Sequence, residues 1–312
     1  MASMNAVVLH RFGGAEALNF ETIELPSAKA REVLVRSTST SVNPVDFKIR
    51  NGDVPGFADK LPYVLGRDAA GIVERVGADV SSFKIGDEVF GMPGFDRGTY
   101  AEFVILHENE LAVAPRRLGL ADAGAVPLAA LTAWQGLMEH GKLEKGQAVL
   151  IHGGAGGVGH FGIQIARAAG ATVITTASAK DRAFLIELGA DEVIDYKTSP
   201  FNDRKDIDLV FDLIGGETQR RSWGVLKEGG TVISTVEDPD PELAAAHKAR
   251  AGKRYMATPS RDNLTEIASL INTGQIKVEI ARRYPLNQIA VAQSVLEDGG
   301  VRGKILIDIQ VG

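Results

Sequence analysis

The sequence predicts an α/β protein in which a β-rich unit comes first and a nucleotide-type unit built on a parallel sheet sits in the middle. Three observations carry that prediction. The first hundred-odd residues run as short apolar or β-branched stretches broken by glycine turns, the middle of the chain alternates strand and helix patterns, and a glycine-rich turn joins the first strand of that middle to its first helix.

In the first part, residues 5–9, 32–42, 68–76, 87–92 and 100–106 read as strands. From about Ala121 the pattern becomes helical, through Trp134 and Leu137, with Trp134 expected in the core. Residues 148–152 form a short buried strand, 158–169 a helix, 172–176 a strand, 181–188 a helix, 207–213 a strand, 217–226 a helix and 231–234 a strand. Strands joined through helices must lie parallel, so these are βαβ units. Beyond Tyr255 come a helix (261–271), a strand (278–284), a helix (286–296) and a strand (304–309), a tail able to return to the first unit. The expected division is residues 1–122 with 257–312 in one domain, and 123–256 in the other.

Composition narrows the function. A net charge of −6 disfavours a nucleic-acid partner. The longest apolar stretch, residues 118–138, is interrupted by Asp122, Pro127 and Gln135, so no membrane association is expected. No basic region precedes an apolar block near residue 1, which reads as a cytoplasmic protein. With no cysteine, disulfides, iron–sulfur clusters and thiolate zinc sites are excluded. The six histidines lack the spacing of a metal-binding helix, and no metal site is expected. His152, ending an apolar strand, reads as a core histidine rather than a catalyst.

The chemistry lies in Gly154, Ala155, Gly156, Gly157, Val158 and Gly159, which fit G-x-G-x-x-G between a strand and a helix. Gly154 and Gly156 would let the backbone turn and approach a pyrophosphate, and Gly159 would let the helix pack closely. The helix N-terminus would supply N–H groups and a positive dipole end. An NAD site places an acidic residue about 20 positions on, to hold the ribose 2′-hydroxyl. Here that place falls on Ala177 or Ser178. Ser178 can donate a hydrogen bond, and Lys180 and Arg182 bring positive charge, so the pocket reads as one for a 2′-phosphate and the cofactor as NADP(H). The competing reading leaves Lys180 and Arg182 as solvated helix residues.

Residues 146–167, GQAVLIHGGAGGVGHFGIQIAR, resemble the signature of the quinone oxidoreductase (zeta-crystallin-like) family of zinc-free medium-chain dehydrogenases/reductases. Residues 42–46 (VNPVD), 65–71 (LGRDAAG), 86–91 (GDEVFG), 131–134 (LTAW) and 302–305 (RGKI) resemble the wider superfamily. The likeness implies a Rossmann domain inserted in a GroES-like, partly open β-barrel catalytic domain, with the active site in the cleft between them. It also implies NADPH and a quinone or α,β-unsaturated carbonyl substrate. Residues 43–48 (NPVDFK) look nearest to the enone oxidoreductase branch. By the same resemblance Lys48 would lie near the nicotinamide ribose, Asn43 and Thr132 would line the nicotinamide, Tyr196 would meet the 2′-phosphate, and Arg302 is a weaker candidate for a cofactor phosphate.

Each of these has a plainer reading. Asn43 before Pro44 can simply shape a turn, Lys48 can be a surface lysine, Thr132 can bond a helix carbonyl, and Tyr196 suits any strand end. The superfamily's zinc alcohol dehydrogenases carry cysteine at the position of Asn43 and a His-Glu pair at Arg67-Asp68, so zinc-based alcohol dehydrogenation is not expected. Asp46 and Arg67 are expected to form an ion pair where the metal is lost. The other class of function that fits the sequence is a non-catalytic NADPH-binding sensor or structural protein. The family's sheets commonly pair edge to edge, and the edge near residues 254–258 predicts a homodimer.

Overall fold

The computed structural model describes residues 2–310. Residues 1, 311 and 312, the ends of the expected first domain, lie outside the described residues. The chain divides into two compact units. One takes the residues up to Leu128, Thr258–Gly274 and those from Val278 onward; the other takes Ala129–Ala257 with Gln275–Lys277.

The inserted unit is built on six parallel strands in the spatial order Glu192–Asp195, Thr172–Ala177, Ala148–His152, Ile207–Asp212, Leu226–Ser234, Lys253–Arg254. In chain order this is 3-2-1-4-5-6, the doubly wound Rossmann arrangement that the family resemblance implies. Helical layers cover both faces of such a sheet, so its strands do not alternate: Val149, Leu150 and Ile151 are all fully buried. Leu150, Ile174, Val210 and Val232 pack with Trp223, which is also fully buried. Trp134, expected in the core, is only half-buried, and Trp223 is the core tryptophan instead. The strand Glu192–Asp195 was hidden by its four-residue length, and the helix Pro241–Ala246 by the charged segment around it. That helix is fixed by its ends, with Asp240 accepting from the N–H groups of Glu242 and Leu243 and Pro241 in the first turn.

The other unit centres on the long strand Glu32–Val42. Residues 33–39 pair antiparallel with Ala69–Val76, residues 32–36 with Phe103–His107, and the last four residues with Lys304–Asp308 from the far end of the sequence. Alternate residues Val33, Val35, Val73, Val89 and Val104 fill one core. Leu9, Val42, Ile49, Leu65, Ile289, Ile305 and Ile307 fill another beneath the helices Pro44–Asn51 and Ile289–Glu297. Among the described residues the strand Leu18–Glu24 pairs only with Ser3–Leu9, and its polar, exposed pattern gave no apolar alternation to read. The last residues of the central strand are serine and threonine, yet Ser37, Ser39, Thr40 and Ser41 are buried. Buried hydroxyls need partners: Thr40 and Ser41 donate to Asp68 in the polar cluster described below, Ser39 Oγ accepts from Gly124 N, and Ser37 Oγ has no partner among the described residues. Among the described residues no helix is long and apolar enough to cross a membrane.

Candidate functional site

The glycine turn begins where the strand Ala148–His152 ends. His152 is fully buried, with Nδ1 3.0 Å from Thr176 Oγ1 and Nε2 2.9 Å from Ser222 Oγ. Burial pushes its pKa down to about 4, so the ring is neutral and acts as a core histidine. The chain then turns at Gly153, whose φ of 79° lies in the left-handed region. That glycine precedes the motif and was not singled out in the sequence. A Cβ on Gly154 would stand 2.1 Å from Thr175 Oγ1, and one on Gly159 would stand 2.3 Å from Gly153 O and 2.7 Å from Gly154 Cα. Gly154 and Gly159 are therefore required by the chain's own packing. Gly156 differs, because a Cβ there would meet only Gly153 O, at an ordinary 3.4 Å. Nothing within the chain demands glycine at that position, which suits the close approach of a ligand. Ala155, Gly157 and Val158 are half-buried beside it, and the helix Gly159–Ala168 begins immediately after them. The turn lies at the strand where the sheet order reverses, the place at which doubly wound sheets open a crevice.

On the next strand, Ala177 pairs with Asp195, and the Tyr196 N–H donates to Ala177 O at 3.2 Å. Ser178 and Tyr196 thus leave neighbouring parallel strands at the same end. Lys180 is exposed, Tyr196 is 61% exposed, and Lys197 Nζ lies 5.9 Å from the Tyr196 ring centroid. Arg182 does not join them as expected: its guanidinium donates to Val193 O at 2.8 Å, which ties it to the sheet. On the neighbouring strand Asp195 accepts from Lys197 N at 3.1 Å and from Thr198 Oγ1 at 3.0 Å.

Thr132 is buried on the helix Pro127–Trp134, and its carbonyl accepts from the Tyr255 hydroxyl. The next turn, Gln135–His140, is a π-helix, a form often found at functional sites. Gly136 in that turn lets Tyr255 approach, since a Cβ there would lie 2.3 Å from the Tyr255 oxygen. Neither Tyr255 nor the π-turn was legible from sequence.

In the other unit, Asn43 N-caps the helix Pro44–Asn51, and Asp46 reaches back to accept from the Asn43 N–H at 2.8 Å. Asn43 is buried with both ends of its carboxamide engaged: Nδ2 donates to Asp68 Oδ2 at 2.7 Å, and Oδ1 accepts from Lys304 Nζ at 2.5 Å. Asp68 also accepts from Ser41 Oγ and from Leu128 N at 2.6 Å, and it lies 3.6 Å from the Lys304 ammonium. Burial pulls the Lys304 pKa down, while the charges of Asp68 and Asp46 hold it up. Lys48 sits on the same helix as Asn43 but is exposed. Arg302 is half-buried ahead of the strand Lys304–Asp308, and it is Lys304, two residues on, that enters the cluster.

The expected Asp46–Arg67 ion pair is absent: among the described residues no salt bridge joins them. Arg67 donates to Gly94 O at 2.6 Å and lies 3.9 Å from the Phe95 ring centroid, a cation–π contact. Asp46 is taken by its own helix N-terminus and by the Tyr100 hydroxyl at 2.7 Å. Local capping and an aromatic face outcompeted the pair. Burial raises the Asp46 pKa to about 6, against the pull of those two donors. A carboxyl whose native pKa is raised binds its proton more tightly folded than unfolded, so its effect on stability turns unfavourable as pH rises from about 4 through about 6.

With the geometry in place, comparison with known proteins is informative. Residues 29–116 match the model of the alcohol dehydrogenase GroES-like domain, and residues 188–307 match a zinc-binding dehydrogenase model. The chain is 34% identical over 95% of its length to a 2-methylene-furan-3-one reductase of Solanum lycopersicum, of which it covers 76%. It is likewise 34% identical over 97% of its length to an NADPH-dependent alkenal/one oxidoreductase of Arabidopsis thaliana, of which it covers 79%. Its structure is similar to that of a quinone oxidoreductase from Coxiella burnetii, with a TM-score of 0.92, 33% identity, and 99% and 100% of the two chains covered.

Proposed function

The chain belongs to the quinone oxidoreductase family of the medium-chain dehydrogenases/reductases, and on that premise we propose that it is an NADPH-dependent oxidoreductase acting on a quinone or on the β-carbon of an α,β-unsaturated carbonyl compound. The observation that carries the reading is the glycine turn at the reversal of strand order, with Gly156 left open on the side where a pyrophosphate would lie. Ser178, Lys180 and Tyr196 at the neighbouring strand ends would hold a 2′-phosphate, with Lys197 as a further cation. Bound NADPH supplies the hydride.

We take the reaction to proceed without zinc, because the residues present do not fit the ion. The chain has no cysteine, and among the described residues no three His, Asp or Glu side chains are grouped to hold a metal. Around Asn43 and Asp68 the oxygens already face an ammonium. Zinc would be needed most for an isolated carbonyl, whose reduction concentrates charge on one oxygen. A quinone or enone spreads that charge through conjugation, so positioning and a few hydrogen bonds suffice. Thr132 is held in place by Tyr255 through its carbonyl. Lys48 has the exposure a cofactor contact requires. Asn43 has its amide committed to Asp68 and Lys304, so its part is to hold the helix start in place.

The test is steady-state oxidation of NADPH and NADH with 1,4-benzoquinone and with a simple vinyl ketone. Turnover with NADPH is expected, and no turnover with any of a panel of quinones and enones would leave a binding protein. Lys180→Ala should weaken NADPH about tenfold, the value of one charge-assisted hydrogen bond, with NADH nearly unchanged in a fluorescence titration. Equal affinity of the wild type for the two cofactors would remove the phosphate-pocket reading. We further propose that the exposed edge strand Lys253–Arg254 pairs with that of a second copy. Light scattering should then give a homodimer, and a monomer at micromolar concentration would count against it.

A further inference from the structure

Lys304 is only 3% exposed, although it opens a strand directly ahead of the buried apolar residues Ile305, Leu306 and Ile307. Its ammonium faces three oxygens from separate groups: Asn43 Oδ1 at 2.5 Å, Val42 O at 3.4 Å and Asp68 Oδ2 at 3.6 Å. A charged group leaves water only where such oxygens replace its hydration, and here one of them carries the opposite charge. The arrangement also selects one orientation of the Asn43 carboxamide. Its oxygen must face the cation and its nitrogen must face Asp68, because the ammonium only donates and the carboxylate only accepts.

We propose that these oxygens form a cation site of the chain and that the Lys304 ammonium is its resident cation, excluding metal ions from the cluster. The proposal deepens the zinc-independent reading above. It also identifies the ion that the site would take once emptied. A carboxylate, a carboxamide oxygen and a peptide oxygen are hard donors, which suit Mn²⁺ or Mg²⁺. Zn²⁺ prefers sulfur and imidazole ligands, and the cluster has neither.

The experiment is a calorimetric titration with MnCl₂, checked by the electron paramagnetic resonance signal of free Mn²⁺. It uses the wild type, Asp68→Asn, Lys304→Ala and the double variant Lys304→Ala with Asp68→Asn. The wild type should show no saturable binding. Lys304→Ala should bind one Mn²⁺ per chain, and the double variant should bind it at least tenfold more weakly. Saturable binding by the wild type that Asp68→Asn abolishes would overturn the proposal, as would a folded Lys304→Ala that takes up no Mn²⁺. Should Lys304→Ala fail to fold, the wild type still decides the matter. Its Lys304 Nζ resonance, assigned by its loss in Lys304→Arg, should exchange protons at least tenfold more slowly than surface lysines, and exchange at the surface rate would sink the idea. None of these readouts involves hydride transfer, so failure here leaves the NADPH oxidation assay to judge the proposed function by itself.

Discussion

Gly159→Ala is expected to abolish measurable NADPH binding and to lower the urea midpoint of unfolding. The added Cβ would stand 2.3 Å from Gly153 O and 2.7 Å from Gly154 Cα, and both obstacles are backbone that no rotamer change can relieve. The helix Gly159–Ala168 would have to move off the turn, at a cost of about 1–3 kcal/mol for overpacking, and the N–H groups proposed to hold a pyrophosphate would move with it. Gly156→Ala makes the informative contrast. Its Cβ meets one atom at 3.4 Å, so stability should hold while cofactor affinity falls. Urea titrations beside fluorescence titrations would separate the two effects, and wild-type NADPH affinity in Gly156→Ala would mean that no ligand approaches that face.

Asp68→Ala should destabilise the fold by about 3–5 kcal/mol, the usual cost of removing one partner of a buried charge pair. The substitution leaves the Lys304 ammonium without its counter-charge, and it takes an acceptor from Ser41, Asn43 and the Leu128 N–H. Combining Asp68→Asn with Lys304→Met should cost less than the sum of the two single changes, because neither charge is then stranded. Strict additivity in urea unfolding would mean that the two charges are uncoupled.

Much of the fold was legible because βαβ alternation is a local pattern that recurs along the chain. The strands Glu32–Val42 and Ala148–His152 have the boundaries their sequences suggest, and the glycine turn lies between strand and helix as its spacing requires. The polar cluster was far less legible. Its lysine lies 261 residues from Asn43, and no local pattern spans that distance. Two signals were nevertheless present: a run of serine and threonine just ahead of Val42 in a strand flanked by core residues, and a lone lysine ahead of the apolar residues 305–307. Each poses the question of what satisfies a polar group that the fold will bury. Arg67 failed as a partner for Asp46 for a related reason, since a helix N-terminus three residues away and the Phe95 ring offered nearer contacts.

The pairing of Lys304–Asp308 with Glu32–Val42 also has a consequence for biosynthesis. Emerging from the ribosome, the first 128 residues hold most of their unit's strands but lack the one that pairs with residues 39–42. The inserted unit is nearly continuous in sequence and can fold while translation proceeds, as domains generally do. The earlier segment must wait, with Asn43 and Asp68 still short of their lysine, until residue 304 has been made. Nascent chains arrested at successive lengths and probed by brief proteolysis should therefore gain protection in the inserted unit before the unit that precedes it in the sequence.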